Sequence, residues 1–388
     1  MRGHGDSDAV QRVGYTAFAL HLWTVFGLFL SNLTGVVALA SWATLRFRFD
    51  GRRAKSILLP ITLYGLCVLL SIAFSVDPAG SLRGGRELIA LLGIPLALAL
   101  VRGVKQTRAI VDGLIVMATF SAGWGLAQLF YGFGGIENRI RGPFSHWMTF
   151  AGVLLIADLL LISQMISGRH ARSAWRWIAL LAINAGIISC LTRGAWIGGA
   201  LAVGVVLVIR APRLLVVFVV ALILVLAVSP VSVRERVASI GDLGDFSNYD
   251  RLCMIEAGWR MVRERPVFGQ GPEMVEQRYP IYRHPTAPRQ STPHLHNNLI
   301  QIAAEEGLVA MGAHIWLMVA ALWAALWRYR RSRGAEEGGP DLYLGAFGAL
   351  LAFNLAGLFE CNWGDTEVQR LALFMAAMPF CADRSETE

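Results

Sequence analysis

The sequence predicts an all-α, polytopic membrane protein with about twelve membrane-spanning helices and one large loop outside the bilayer. Three observations predict it. Of 388 residues, 55% are hydrophobic and 16% charged, with a mean hydropathy of +0.52; soluble domains carry about 25% charged residues. Apolar runs of the roughly 17–25 residues needed to cross a bilayer recur along the chain. The basic residues gather in short clusters between those runs. This composition excludes a disordered chain, an ordinary soluble enzyme and a disulfide-rich secreted module.

Taken in order, the expected spans are 13–30, 31–46, 57–75, 87–103, 109–131 and 147–167, then 175–191, 195–210, 213–229, 307–327, 341–360 and 367–382. The first two are halves of one apolar stretch, divided at Ser31-Asn32. Arg2 and Arg12 precede it without a convincing small-residue cleavage site, so an uncleaved first span is expected. The chain thus divides into spans one to nine (1–229), the loop (230–297) and spans ten to twelve (298–388).

Orientation follows from short-loop charge. Arg46, Arg48, Arg52, Arg53 and Lys55 form one basic loop, and Arg102, Lys105 and Arg108 the next. Then come Arg169, Arg172 and Arg176, the pair Arg210 and Arg213, and Arg328, Arg330, Arg331 and Arg333. These are every second connection, so all share one side, cytoplasmic by the positive-inside rule. Both termini fall there too. The net charge of +8 therefore needs no nucleic acid.

The opposite side carries residues 230–297, with nine arginines against eight acidic residues. A loop of this length is commonly functional or disordered. Met254, Ile255, Trp259, Met261 and Val262 recur at helical spacing, which argues for order. Pro266, Gly269, Gly271 and Pro272 then interrupt the pattern.

Four places on this side hold strong donors. The first is Arg139-Ile140-Arg141-Gly142-Pro143-Phe144-Ser145-His146. The second is Thr192-Arg193-Gly194-Ala195-Trp196, at a tight turn between spans. The third is Arg251, and the fourth His294-Leu295-His296-Asn297-Asn298, just before Glu305-Glu306-Gly307. Taken singly, Arg139 and Arg141 read equally well as interfacial arginines reaching lipid phosphates, Arg251 as a solvated charge, and a histidine as structural. Arg193, close to hydrocarbon, calls for a partner or a function. His146 and His284 are second choices. The cysteines Cys67, Cys190, Cys253, Cys361 and Cys381 form no CxxC or zinc spacing, so neither metal nor redox cofactor is expected.

Combined, the four places point to one chemistry. Guanidinium groups bind phosphate bidentately and stay charged at any working pH. A histidine accepts a proton near neutrality. No P-loop is present, so a substrate bearing its own leaving group fits: a lipid-linked diphosphate sugar.

At this point the motifs resemble a known family. His296-Asn297-x-x-Ile300 with Glu306-Gly307, the run Arg251 to Trp259 with Pro266-Val267-Phe268-Gly269-Gln270-Gly271, Arg139-x-x-Gly142-x-Phe144, and Thr192 to Trp196 together resemble the bacterial O-antigen ligase and O-antigen polymerase superfamily. Their order matches over nearly the whole chain. The resemblance implies a GT-C-like, metal-independent, inverting glycosyltransferase of the bacterial inner membrane, with a periplasmic catalytic loop and no cofactor. Its donor is a glycan on undecaprenyl diphosphate; its acceptor is lipid A–core oligosaccharide or another glycan. Carried over by motif, Arg193 and Arg251 hold the diphosphate, Arg139 and Arg141 help orient it, and His296 is the base, with His294 the alternative. Asn297 and Glu306 support them. His146-Trp147 stand where the family often has proline-asparagine. The chain ends soon after the twelfth span, which makes a protein O-oligosaccharyltransferase the less expected member.

The leading expectation is an O-antigen ligase. A polymerase joining lipid-linked repeat units shares the donor chemistry. A transporter or flippase would show repeated halves and paired broken helices, and neither is seen in the sequence.

Overall fold

The computed structural model describes residues 2–49, 51–167, 173–334 and 338–383, without the side chains of residues 2–6. Arg169 and Arg172 of the third basic loop lie outside the described residues. Those described form helices and connections, with no strand among them. The helices are α1 (Arg2–Trp23), α2 (Leu28–Thr44), α3 (Lys55–Ala73), α4 (Pro78–Ser81), α5 (Arg86–Leu91), α6 (Gly93–Leu100), α7 (Gly103–Ala127), α8 (Trp147–Ile166) and α9 (Ala174–Ser189). They continue with α10 (Arg193–Arg210), α11 (Arg213–Val228), α12 (Val231–Ala238), α13 (Phe246–Glu264), α14 (Val275–Tyr282), α15 (Asn298–Glu306), α16 (Leu308–Arg331), α17 (Pro340–Ala356) and α18 (Thr366–Ala382).

Among the described residues, five helices are long and apolar enough to cross a membrane. There are six if α11 and its sharply bent continuation, turned by 120°, count as one. The protein is a multi-pass membrane protein built of helices. α8, α17 and α18 form its centre, with α3, α7, α9, α10 and α16 packed around them. Small residues permit that closeness: a Cβ on Gly198 of α10 would lie 2.7 Å from the Ala356 nitrogen of α17, and one on Gly348 of α17 2.9 Å from Val206 of α10. Where lipid offers no hydrophobic drive between helices, backbone approach of this kind holds them together. At the edge, α11 buries none of its residues.

Two boundaries differ from the sequence reading. The first apolar stretch breaks at Thr24–Gly27, not at Ser31-Asn32. α1 and α2 then pack as a hairpin in which the Ser31 hydroxyl donates to the His21 carbonyl at 2.8 Å. Ser31 and Asn32 are polar because Arg370 of α18 donates to them, at 2.8 and 2.6 Å. The fourth expected span is two short helices, α5 and α6. Pro95 has no N–H for the Leu91 carbonyl, and its ring crowds that group.

The 230–297 segment folds on its own small core. Met254, Ala257, Met261 and Val262 of α13 pack with Val275, Tyr279, Leu295, Ile300 and Ala303. A glycine interlock fixes this unit to the bundle. Gly269, at φ +66°, has room only for hydrogen, since a Cβ would lie 2.3 Å from the Glu305 carbonyl oxygen. Gly307, at φ +92°, is the reciprocal case, with a Cβ 2.0 Å from the Val267 oxygen. Gln270 N–H donates to Ala304 and Leu308 N–H to Pro266, both at 2.8 Å. The two glycine motifs read from the sequence are thus one joint, and it holds α15, which the histidine segment directly precedes.

Candidate active site

Arg193 is the first residue of α10 and only 3% exposed. Its guanidinium donates to the Ser239 carbonyl (2.9 Å) and hydroxyl (2.8 Å) and to Asp245 Oδ1 (2.9 Å). Asp245 also caps α13. Arg193 therefore ties the bundle to the start of the loop helix. Arg139 donates to the Ile136 carbonyl (2.9 Å) and the Leu191 carbonyl (3.3 Å) and lies 5.1 Å over the Trp147 ring. Arg236 reaches the same Leu191 carbonyl at 3.4 Å. Burial, then the charges of Arg193 and Arg139, push the Arg236 guanidinium down to about 10.

Arg251 sits in the second turn of α13 and donates to Glu360 Oε1 at 3.2 Å. Glu360 is 5% exposed and follows the end of α17. Its other oxygen lies 3.7 Å from His296 Nδ1. Neither of those two atoms has a hydrogen-bond partner. A buried acceptor and a buried ring nitrogen left unpaired, face to face, are the arrangement a transferred proton would complete. His296 holds φ +51°, a region that costs a non-glycine residue of order 1–3 kcal/mol and clusters at functional sites. The His294 ring is 4.4 Å from that of His296, edge-on. Burial, then the neighbouring His296, lower the His294 imidazole to about 3, so it is neutral at neutral pH.

Arg139, Arg193, Arg236 and Arg251 thus converge on one region, where Asp245 and Glu360 supply the paired carboxylates. Four guanidiniums against two carboxylates leave positive charge in a largely buried place, the electrostatic setting for an anion.

The other expected residues make bonds of their own beside or outside this cluster. Arg141 is exposed and donates to the Ser145 carbonyl at 3.2 Å. Asn297 caps α15, accepting from Ile300 N–H at 3.0 Å and donating to the Leu358 carbonyl at 2.9 Å. It fixes the helix beside His296. Glu306 is buried beside Tyr64 and Glu87, away from the histidines. His146 caps α8 through Nδ1, and His284 bonds Thr286 near the surface. The five cysteines form no disulfide.

Two residues of the site were not singled out in the sequence. Glu360 had a signal, since an acid at the end of an apolar span is costly without a role. Arg236 had none, being one of nine arginines in its loop.

Residues 177–315 match the family model of O-antigen ligases. Over that segment, a little over a third of its length, the chain is similar to the O-antigen ligases. The O-antigen ligase match runs from α9 into α16 and contains Arg193, Arg236, Arg251, His294 and His296. Arg139 and Glu360 lie outside it and are brought in by the fold. No curated protein matches the chain.

Proposed function

We propose that this protein is an inverting glycosyltransferase of the bacterial inner membrane that moves a glycan from undecaprenyl diphosphate onto lipid A–core oligosaccharide. In this reading about twelve helices span the membrane in a GT-C-like arrangement. Residues 230–297 are periplasmic, and both termini are cytoplasmic. The observation that carries it is the arginine cluster beside the unpaired His296–Glu360 couple, in a chain similar to the O-antigen ligases over residues 177–315. Arg251, Arg193 and Arg139 bind the diphosphate, and Arg236 adds to the field. The acceptor hydroxyl gives its proton to His296 as its oxygen attacks the anomeric carbon. The carbon–oxygen bond to diphosphate breaks, and undecaprenyl diphosphate leaves with the electron pair. Guanidinium donors act most as that charge grows. Glu360 orients the imidazole and stabilises its charged form. The arginines supply the positive charge, so transfer needs no metal and persists in excess chelator.

The test is retention of a radiolabelled lipid diphosphate by detergent-purified protein, followed by single-turnover transfer to lipid A–core. Uptake into liposomes without transfer would make it a transporter. Transfer only to a second lipid-linked repeat unit would make it a polymerase. A Ser247→Cys protein should react with an impermeant thiol reagent in cells with a permeabilised outer membrane; labelling only after inner-membrane lysis would place the loop on the wrong side.

A further inference from the structure

A cavity of about 510 Å³ reaches His294 and His146 but not His296 itself. Its size is that of a pocket for a ligand of several hundred daltons. Its wall includes His146, His294, Thr192 and Glu360, but none of Arg139, Arg141, Arg193, Arg236 and Arg251. The Glu360 side chain therefore has the arginines on one side and this space on the other.

α15 runs along the cavity. Asn298, Gln301, Ile302 and Glu305 all line it, as helical spacing of three and four residues requires for one face. At the beginning of the helix, Gln301 accepts from Leu295 N–H at 2.8 Å, between the two histidines. At the end, Glu305 accepts from Val275 N–H at 3.2 Å. Beyond it Arg86 pairs with Glu273, joining α5 to the glycine joint. At 1.5 Å per residue, the lining residues Asn298 and Glu305 lie about 10 Å apart along α15. The residues at the far end, Arg83, Arg86, Glu276 and Gln277, are exposed; at the histidine end Thr192, Asn298 and Glu360 are buried and Pro293 is exposed. One opening of the cavity is thus turned away from the diphosphate arginines.

Its chemistry differs from theirs as well. Gln301, Glu305, Asn362 and Asp365 offer carboxyl and amide groups with few cations among them. Such a wall offers a diphosphate little positive charge and suits a run of sugar hydroxyls, each both donor and acceptor.

We propose that this cavity is the acceptor subsite: an uncharged, hydroxyl-rich sugar enters past Arg83 and Gln277, lies along the polar face of α15, and presents its nucleophilic hydroxyl to the histidine segment from the side opposite the donor diphosphate. The assignment rests on the transferase reading and deepens it.

The test uses Gln277→Trp, which narrows the mouth at an exposed position, and Glu305→Gln, which keeps the acceptor for Val275 N–H. Donor is the lipid diphosphate glycan, and acceptor the lipid A–core fraction, both extracted from a strain lacking this protein. Gln277→Trp should raise KM for acceptor by roughly ten-fold or more, with retention of donor within about two-fold of wild type. Glu305→Gln should shift the acceptor KM in the same direction and leave donor retention alone. An unchanged acceptor KM in both variants overturns the assignment, and so does a loss of donor retention in Gln277→Trp, which would make the cavity part of the donor site. Wild-type protein that retains no lipid diphosphate sinks the transferase reading and this one together. Wild-type transfer with variants defective only toward donor sinks the acceptor assignment alone.

Discussion

Arg251 meets Glu360 at 3.2 Å across 109 residues of sequence. The pair joins α13 to the segment after α17 at the centre of the bundle. It also occupies an arginine that the proposed donor needs. Donor binding must draw Arg251 at least partly toward the diphosphate, leaving Glu360 to the His296 nitrogen 3.7 Å away.

Replacing Glu360 by Gln keeps the shape and removes the charge. Arg251 then has no competing carboxylate, so donor retention should hold or tighten. The imidazolium loses its stabilising partner, and single-turnover transfer should slow about 10–100-fold, the usual range for a supporting shell. Wild-type turnover in the Gln variant would remove Glu360 from the mechanism.

Arg193 and Arg251, two of the three arginines assigned to the diphosphate, should fail differently. Arg193 is buried and holds Ser239 and Asp245, so Arg193→Ala strands a partly buried carboxylate. It should cost about 3–5 kcal/mol of stability, seen as a lower melting temperature in detergent. Arg251→Ala should melt near wild type, retain donor poorly and transfer slowly. Lysine at 251 should rescue only in part, because it offers no bidentate fork. Equal melting temperatures with equal loss of donor would mean that Arg193 is a ligand with no structural duty.

His296→Ala should keep donor affinity and lose turnover by roughly 10²–10⁴-fold, while His294→Ala should be milder. Loss of donor retention in His296→Ala would move this histidine to the phosphate site.

His294 also sets a pH dependence. Its folded value, about 3, lies below the ordinary histidine value of 6.5. The unfolded chain therefore binds the extra proton first, and the stabilising contribution is full above about 6.5. It declines as pH falls from there toward 3. Burial is the main cause, with His296, His146 and Arg289 nearby. Melting temperature should drop between pH 7 and 5, and His294→Gln should flatten part of that slope. An unaltered slope would assign it to other groups.

The glycine joint should be intolerant. Gly269→Ala and Gly307→Ala each drive a methyl into backbone 2.3 and 2.0 Å away, at positive φ. Limited proteolysis should cut the 230–297 segment faster in both. A resistant Gly307→Ala protein would show that the joint is not what anchors α15.

The sequence by itself determined the class and the place of the long apolar helices. Apolar runs of bilayer length specify helices wherever they occur, because backbone polar groups have no other partner in lipid. It also marked Arg193, Arg251 and His296, since charged or titratable groups beside hydrocarbon stand out against their neighbours. The helical pattern about Trp259 and the glycines after Pro266 were legible for the same local reason. Only the tertiary structure decided what those residues meet. Whether Ser31-Asn32 breaks a helix or satisfies Arg370 depends on α18, 339 positions away from Ser31. Glu306 matched a motif yet lies in a buried cluster with Tyr64 and Glu87, whereas Glu360, outside every motif, stands between Arg251 and His296. Periodicity records which face of an element is buried. It does not record which far segment covers that face, and a candidate site assembled from segments far apart in the chain is made of such pairings.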